Sequence, residues 1–422
     1  MKFFLETFGC QMNVYDGQRI ASALTRAGHF RTDSATDADA IILNTCAVRE
    51  KASEKIFSTL GRLAQIKKSG SLLGIVGCTA REEGQNAFRR IPALNFVLGP
   101  QSYHKITEIL ENPEARYMNI DLSGLEKFDA LPINTNHTAT AYIPVQEGCD
   151  HICTYCIVPF TRGREISRDP ESVMGEVNAA VERGAIEICF LGQNVNGYKF
   201  GLADLIRRTA KIPSVKRIRY TSSYPTEMTD DLIALHGTEE KLLPFVNMPL
   251  QSGSPAVLQR MNRPYDIDQY LGIVDAFRRV RPDIQISSDF IVGFPGETEE
   301  DFQMSMDIAR RVKFINSYTF KFSPRPHTAA AQMPGQIPAD IKARRLKELD
   351  NLINENTRAF NLSLIGATLP CIIDEDGKLP GQRIARTPYM QQIVLEPSAG
   401  KGNFANIKIT DGNKSSLRGE II

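Results

Sequence analysis

Three short apolar runs, KFFLETFGC, AIILNTC and LLGIVGC, each end in a cysteine, and each is followed by residues with helical spacing. A fourth run, NFVLGP, precedes HKITEILEN in the same way. Strand and helix in strict alternation leave few folds open, because successive strands must then lie parallel with helices covering the sheet. In such sheets ligands bind beyond the carboxyl ends of the strands. Cys10, Cys46 and Cys78 are 36 and 32 residues apart, about one strand–helix unit each, so they can converge on one sheet edge. A single strand-end cysteine reads as a small buried hydrophobe. Three in register, in the contexts FGCQMN, NTCAV and VGCTA, point to a metal site.

Residues 116–137 read as an irregular linker, after which a second strand–helix series begins. AYIPVQEGC, EICFLGQNVN, RIRYTSSYP, LPFVNMPLQSGS, QISSDFIVGFPGE and SYTFKFSPRP supply six strands, with helical stretches between them. Six steps suggest an incomplete parallel barrel, whose site would again lie at the C-terminal strand ends. GCDHICTYC, GQNVN, SSYP, PLQSGS and GFPGE all fall there, pooled on one face. A long helix over 338–361 leads into short β-branched runs broken by Gly, Pro and Asn, the pattern of a small β-barrel. The expected organisation is α/β, with domains at 1–116, 135–361 and 362–422.

Composition narrows the class. With 50 basic and 49 acidic residues the net charge is +1, so no global field marks out nucleic acid or membrane. No apolar run approaches a bilayer span, and MKFFLETFGCQMN lacks the apolar core of a signal peptide. A cytoplasmic enzyme is expected, in which eight cysteines serve metal or redox chemistry rather than disulfides.

The segment GCDHICTYC places Cys149, Cys153 and Cys156 in a CX3CX2C pattern. A structural zinc wants four closed ligands, and His151 sits only two residues past Cys149 within the same loop. Thiolates also hold iron–sulfur clusters. A 4Fe–4S cube held by three cysteines keeps one iron open to a small molecule.

CX3CX2C at the end of a first barrel strand resembles the radical S-adenosylmethionine (SAM) enzymes. That resemblance implies a 4Fe–4S cluster whose open iron chelates SAM, and cleavage of SAM to a 5′-deoxyadenosyl radical that removes hydrogen from an unactivated C–H bond. The three-part organisation, with ETFGCQMNVYD, LNTCAVRE, VGCTA, EGCDHICTYCIVPFTRGREISR, GQNVNGY, PLQSGS and DFIVGFPGET, is similar to the methylthiotransferases over essentially the whole chain. It implies a second 4Fe–4S cluster on Cys10, Cys46 and Cys78, a second SAM used as methyl donor, and a C-terminal TRAM-like domain for RNA. The motifs look like the branch that methylthiolates C2 of N6-isopentenyladenosine at position 37 of the tRNA anticodon loop. Other branches act on threonylcarbamoyladenosine or on a ribosomal-protein aspartate. An electron donor of flavodoxin or ferredoxin type, a sulfur donor and a monomeric enzyme are further implications. A non-catalytic RNA-binding iron–sulfur protein is the rival reading, disfavoured because structural clusters take four protein ligands.

The same resemblance gives roles to other positions. Tyr155 would lie against the adenine, with loop packing as the alternative. Gln193 and Asn194 would hold the SAM amino group, which an amide can do. Gln251, Ser252, Asp289, Gly293 and Gly296 would contact ribose or backbone, although a plain turn explains the glycines equally well. Arg162, Arg164 and Arg168 suit phosphates, the SAM carboxylate or a solvated face. Phe160 and Tyr198 are candidate base-stacking residues. Cys189 and Cys371 lie inside apolar runs and read as core. From 361 to 422 seven basic residues face six acidic ones, so the tail carries no strong basic patch.

Overall fold

A computed structural model describes residues 1–47, 50–113, 116–122, 128, 131–134, 138–396 and 404–422, with the side chains of 50–54 left out. Its N-terminal part is an all-parallel six-stranded sheet in the order β2-β1-β3-β4-β5-β6. These strands are Lys2–Thr7 (β1), Phe30–Arg31 (β2), Ala40–Thr45 (β3), Leu72–Gly77 (β4), Phe96–Leu98 (β5) and Tyr117–Asn119 (β6). Every residue of β3 and β4 is buried, as the unbroken runs AIILNT and LLGIVG require when both sheet faces are covered. Helices Gln11–Arg26 and Ile106–Glu111 pack on one face through Ile20, Leu24, Ile106 and Leu110. The helix Glu50–Ile66 and the short helix Gln85–Arg90 cover the other through Ile56, Leu60 and Phe88. One expectation needs correcting: Tyr117–Asn119 lies within the anticipated linker but pairs with β5 as the sheet's edge strand. Much of the remaining linker, including the expected boundary at 135, falls outside the described residues.

The second part carries six parallel strand positions around an open barrel. Thr140–Pro144 (β7), Glu187–Leu191 (β10) and Arg217–Tyr220 (β11) form one sheet in the order β11-β10-β7. A parallel bridge from Ile218 to Leu242 leads towards Phe245–Asn247 (β12), which pairs with Gln285–Ser287 (β13). Asp289–Val292 (β14) then pairs with Tyr318–Lys321 (β15). Between β7 and β10 a two-residue antiparallel ladder joins Gln146–Glu147 (β8) to Ile166–Ser167 (β9). That ladder closes the base of the loop bearing Cys149, Cys153 and Cys156.

The helix Ala339–Ser363 crosses the outside of β14 and β15 and ends at a closed five-stranded barrel. Its strands are Thr368–Asp376 (β16), Arg383–Arg386 (β17), Gln392–Leu395 (β18), Phe404–Gly412 (β19) and Leu417–Ile421 (β20), around Ile373, Ala385, Ile393, Ile407 and Leu417. This small barrel docks on the N-terminal ends of the large barrel's strands. Arg217 opens β11 and donates to the carbonyls of Arg386 and Thr387 at 2.7 and 3.0 Å, while Thr140 at the start of β7 donates to Asp374 at 3.2 Å. The small barrel therefore sits at the pole opposite the cysteine loop. Arg217 and Arg219 both pair with buried Glu187 at 2.8 Å. Among the described residues no helix is long and apolar enough to cross a membrane.

Removing one partner from a buried ion pair costs about 3–5 kcal/mol. Arg217→Met should lower the unfolding free energy of the C-terminal barrel in urea by an amount in that range, and release a 61-residue fragment, residues 362–422, under limited proteolysis sooner than wild type, as read by gel and mass spectrometry.

Candidate active site

Glycine sets the direction of three of the six cysteines. Gly9, Gly77 and Gly148, each immediately before a cysteine, have φ of +126°, +97° and +79°. Side chains rarely adopt that region. Space forbids a side chain as well: a Cβ on Gly9 would strike Cys46, one on Gly77 the carbonyl of Thr45, and one on Gly148 the carbonyl of Arg164. The chain must leave each strand by a tight turn that presents the next thiol at the sheet edge. Because β1, β3 and β4 are adjacent, Cys10, Cys46 and Cys78 come to one edge, as their spacing suggested.

Asparagine locks that edge. Asn13 donates to the carbonyl of Thr45 at 2.8 Å, and Asn44 donates back to the carbonyl of Asn13 at 2.7 Å. Both asparagines are fully buried, which accounts for the polar residues in GCQMN and LNTC. The Cys10 thiol donates to Asn13 Oδ1 at 3.2 Å. A hydrogen bond from Cys46, with Arg162 contributing, holds Cys10 down at about 6, within the range of reactive thiolates. Cys78 is pushed up by burial, against which Arg162 works.

Arg162 is the residue that joins the two halves. Its guanidinium donates to Cys78 Sγ at 3.3 Å, to Glu147 Oε1 at 2.8 Å and to Asp16 Oδ2 at 2.9 Å. Arginine is 3% exposed here and its carboxylate partners at most 1%. The phosphate or solvated-face reading of Arg162 is therefore corrected: its fork is filled inside the protein. Arg168 is corrected for the same reason, since it pairs with buried Glu176 at 2.8 Å and donates to the carbonyl of Pro144. Tyr198 is also buried, its hydroxyl donating to the Arg168 carbonyl, so it presents no face for stacking. Arg164 alone of the three is exposed, paired with Asp150 at 3.1 Å.

The loop around Cys149, Cys153 and Cys156 is tied down from several sides. Cys149 N–H donates to the Gly163 carbonyl, Thr154 N–H to the Met261 carbonyl at 3.0 Å, and Ala330 N–H to the Thr154 carbonyl at 2.9 Å. Gln193 Oε1 accepts the Gly148 N–H at 2.6 Å. Asn194 donates to Glu227 Oε2 at 2.7 Å and to Glu165 Oε2 at 3.3 Å. His151 stacks on Tyr224 with ring centroids 3.7 Å apart and meets Glu227 Oε1 at 2.8 Å. Burial raises Glu165; in Glu227 burial acts the same way, but the bonds from His151 and Asn194 outweigh it and leave this carboxyl below its usual range. Burial drives Cys149 up to about 11 and Cys156 up to about 12, so as free thiols both are protonated. Buried Arg263 lies 3.9 Å from Cys153 Sγ, and the Val158 N–H donates to Cys156 Sγ at 3.4 Å.

Gln193 and Asn194 thus come to the cysteine loop, while half-buried Tyr155 packs between two apolar clusters. Gln251 ends the β12 segment in the left-handed region at φ 72°, as Ser222 does after β11 at φ 68°. Non-glycine residues held there cost about 1–3 kcal/mol and gather at functional mouths. The Asp289 carbonyl accepts the Gln251 N–H. Ser252 is buried beside Ser305 and accepts from Ser254 N–H, bonds that stiffen the turn. Gly293 and Gly296 have φ of +69° and +73°, and a Cβ on Gly293 would strike Lys342. Cys189 and Cys371 are core residues, raised by burial to about 12. Sequence reasoning missed Asp16, Glu147, Arg263 and Glu227; their signal, an isolated charge beside a motif, is too common to single out.

Among the described residues, no three His, Cys, Asp or Glu side chains are spaced to hold a single metal ion. In a 4Fe–4S cube each thiolate ligates a different iron, so the thiols need not converge on one atom. The donor set fits such a group at both places: three cysteines each, with N–H groups of Arg162, Arg263 and Val158 aimed at sulfur. Hydrogen bonds to cluster and ligand sulfur stabilise their negative charge.

Comparison with known proteins decides the family. Residues 2–99 match the model described as uncharacterized protein family UPF0004, residues 143–309 the radical SAM superfamily, and residues 362–422 the TRAM domain. Across 441 residues the chain is 45% identical to the tRNA-2-methylthio-N(6)-dimethylallyladenosine synthase of Rickettsia canadensis, covering 100% of this chain and 99% of that protein. A protein of the same name from Cereibacter sphaeroides is 44% identical over 428 residues, covering 99% and 98%. The chain belongs to this synthase family. Its radical SAM membership brings a 4Fe–4S cluster and SAM. The fold is shared with the radical SAM methyltransferase TsrM of Kitasatospora setae, at a TM-score of 0.61 and 13% identity over 78% of this chain and 77% of that one.

Three substitutions at two positions separate the supports of this site. Gly77→Ala forces both an unfavourable φ and a clash with the Thr45 carbonyl, and should lower the thermal midpoint of the N-terminal domain, as read by circular dichroism. Arg162→Met strands Asp16 and Glu147 and should cost about 3–5 kcal/mol in denaturant unfolding. Arg162→Lys keeps the charge but not the fork, and should fall between.

Proposed function

We propose that this chain methylthiolates C2 of N6-isopentenyladenosine at position 37 of the tRNA anticodon loop. The observation that carries this reading is the family relation over the full length; the convergence of Cys10, Cys46 and Cys78 on one sheet edge, tied through Arg162 to the barrel that bears the CX3CX2C loop, supports it. Cys149, Cys153 and Cys156 would hold the cluster that binds SAM, and Cys10, Cys46 and Cys78 a second one. When bound, the first supplies the electron that cleaves SAM, and the second carries the sulfur that a further SAM methylates.

The chain's own residues then have definable tasks. Gln193 and the β8–β9 ladder fix the ligand loop, so the three thiols are oriented before anything binds. Asn194, Glu165 and Glu227 offer an anionic corner suited to an ammonium group such as the SAM amine. His151 bonds the other oxygen of Glu227 and, stacked on Tyr224, keeps that corner from relaxing. Arg162 holds the two sites at a fixed separation. The C-terminal barrel, at the far pole, would meet a part of the RNA remote from the reacting base. The reading also takes an electron donor of flavodoxin or ferredoxin type, a separate sulfur donor, and action as a monomer in the cytoplasm.

Nucleoside mass spectrometry tests it directly. In a bacterial strain lacking its own enzyme of this kind, expression of this chain should restore 2-methylthio-N6-isopentenyladenosine and deplete the unthiolated precursor. Persistence of the precursor alone, with the protein present and iron-loaded, would sink the substrate assignment.

A further inference from the structure

Phe160 and His327 form an exposed aromatic pair that the catalytic reading does not use. Their ring centroids lie 5.8 Å apart at an interplanar angle of 34°. Phe160 is 42% exposed on the one-turn helix Val158–Thr161. That helix spans the gap between the two thiol sites: it starts two residues after Cys156 and ends at Arg162, which donates to Cys78. Ile157, just before it, packs against Ala47 and Cys78. Phe160 is thereby fixed at the rim shared by both trios.

His327 is held on the same rim by separate means. It follows β15 in the turn SPRPHT, with φ 67°, a conformation uncommon for any residue but glycine and costly unless its surroundings impose it. The surroundings do impose it. Thr328 bonds the Arg325 carbonyl through both its N–H (3.2 Å) and its hydroxyl (2.8 Å). Two residues on, the Ala330 N–H reaches the carbonyl of Thr154, between Cys153 and Cys156. From the N-terminal domain, Glu82 faces both Arg325 and His327. Three elements thus converge to hold one ring out in the open.

Single-stranded RNA is recognised by splaying a base and stacking it on aromatic side chains. We infer that Phe160 and His327 are the stacking platform for the target purine, holding it at the mouth between the two thiol sites. This rests on the RNA-substrate reading above and adds the residues that would grip the base.

The test uses iron-loaded, reconstituted full-length protein and an anticodon stem-loop carrying 2-aminopurine at the target position. Binding to wild type should change the 2-aminopurine fluorescence as the base leaves its neighbours and stacks on protein. Phe160→Ala should raise the Kd at least about fivefold, the lower end of what one base–aromatic stack contributes, and remove the fluorescence change. Phe160→Tyr should restore both. His327→Ala provides an independent second variant, read against melting temperature and iron content. Unchanged Kd and fluorescence in Phe160→Ala and His327→Ala, with wild type binding normally, would overturn the platform while leaving the RNA reading in place. Absence of stem-loop binding by wild type would overturn both.

Discussion

A single buried guanidinium holds this molecule's two halves in register. Arg162 lies between Asp16 of the N-terminal domain and Glu147 of the barrel, with its third donor on Cys78. Burying one cation and two carboxylates is costly in itself, and is tolerated only when geometry satisfies every charge. A greasy interface would tolerate small slips between domains. A filled guanidinium fork does not, because moving by an ångström breaks several charged hydrogen bonds at once. The device sits between the strand-end cysteines of the sheet and the loop bearing Cys149, Cys153 and Cys156.

The rest of the interface repeats this choice. The helix Gln11–Arg26 begins at Cys10 and lays Tyr15 against the barrel, where its hydroxyl donates to Glu176 at 3.3 Å, while Arg19 donates to that same Tyr15 hydroxyl and to the carbonyl of Phe128. Glu176 in turn pairs with Arg168, and Met12 packs on Leu191 of β10. At the opposite pole Glu187, Arg217 and Arg219 seat the C-terminal barrel by a comparable network. The central barrel therefore carries one module at each end: a thiol-bearing sheet over its C-terminal mouth, and an RNA-type β-barrel under its base. An RNA that touched both would have to run along the outside of the barrel.

Much of this was legible in the sequence, and the exceptions have physical causes. The strand–helix alternation could be read because buried parallel strands are continuous apolar runs and their helices are amphipathic. The grouping of Cys10, Cys46 and Cys78 could be read because adjacent strands deliver their ends to one edge, and that of Cys149, Cys153 and Cys156 from their spacing within one loop. The β6 strand could not: Tyr117–Asn119 is three residues long, partly exposed, and gains its place only by pairing with β5. The β8–β9 ladder is two residues a side and escapes any periodicity. Arg162 and Arg168 misled because arginine beside a ligand loop normally faces water. Their burial depends on partners invisible locally; Asp16 lies 146 residues from Arg162 along the chain. Phe160 kept its expected exposure, whereas Tyr198 lost it to the Arg168 carbonyl.

The claim on which the account turns is that the chain builds two separate three-thiol sites, each for its own cluster. Iron counting on anaerobically reconstituted protein measures this most directly. Wild type should bind about eight iron atoms, and alanine at Cys10, Cys46 and Cys78 together, or at Cys149, Cys153 and Cys156 together, should each leave about four. A wild-type total near four, or loss of all iron when either trio is removed, would contradict it.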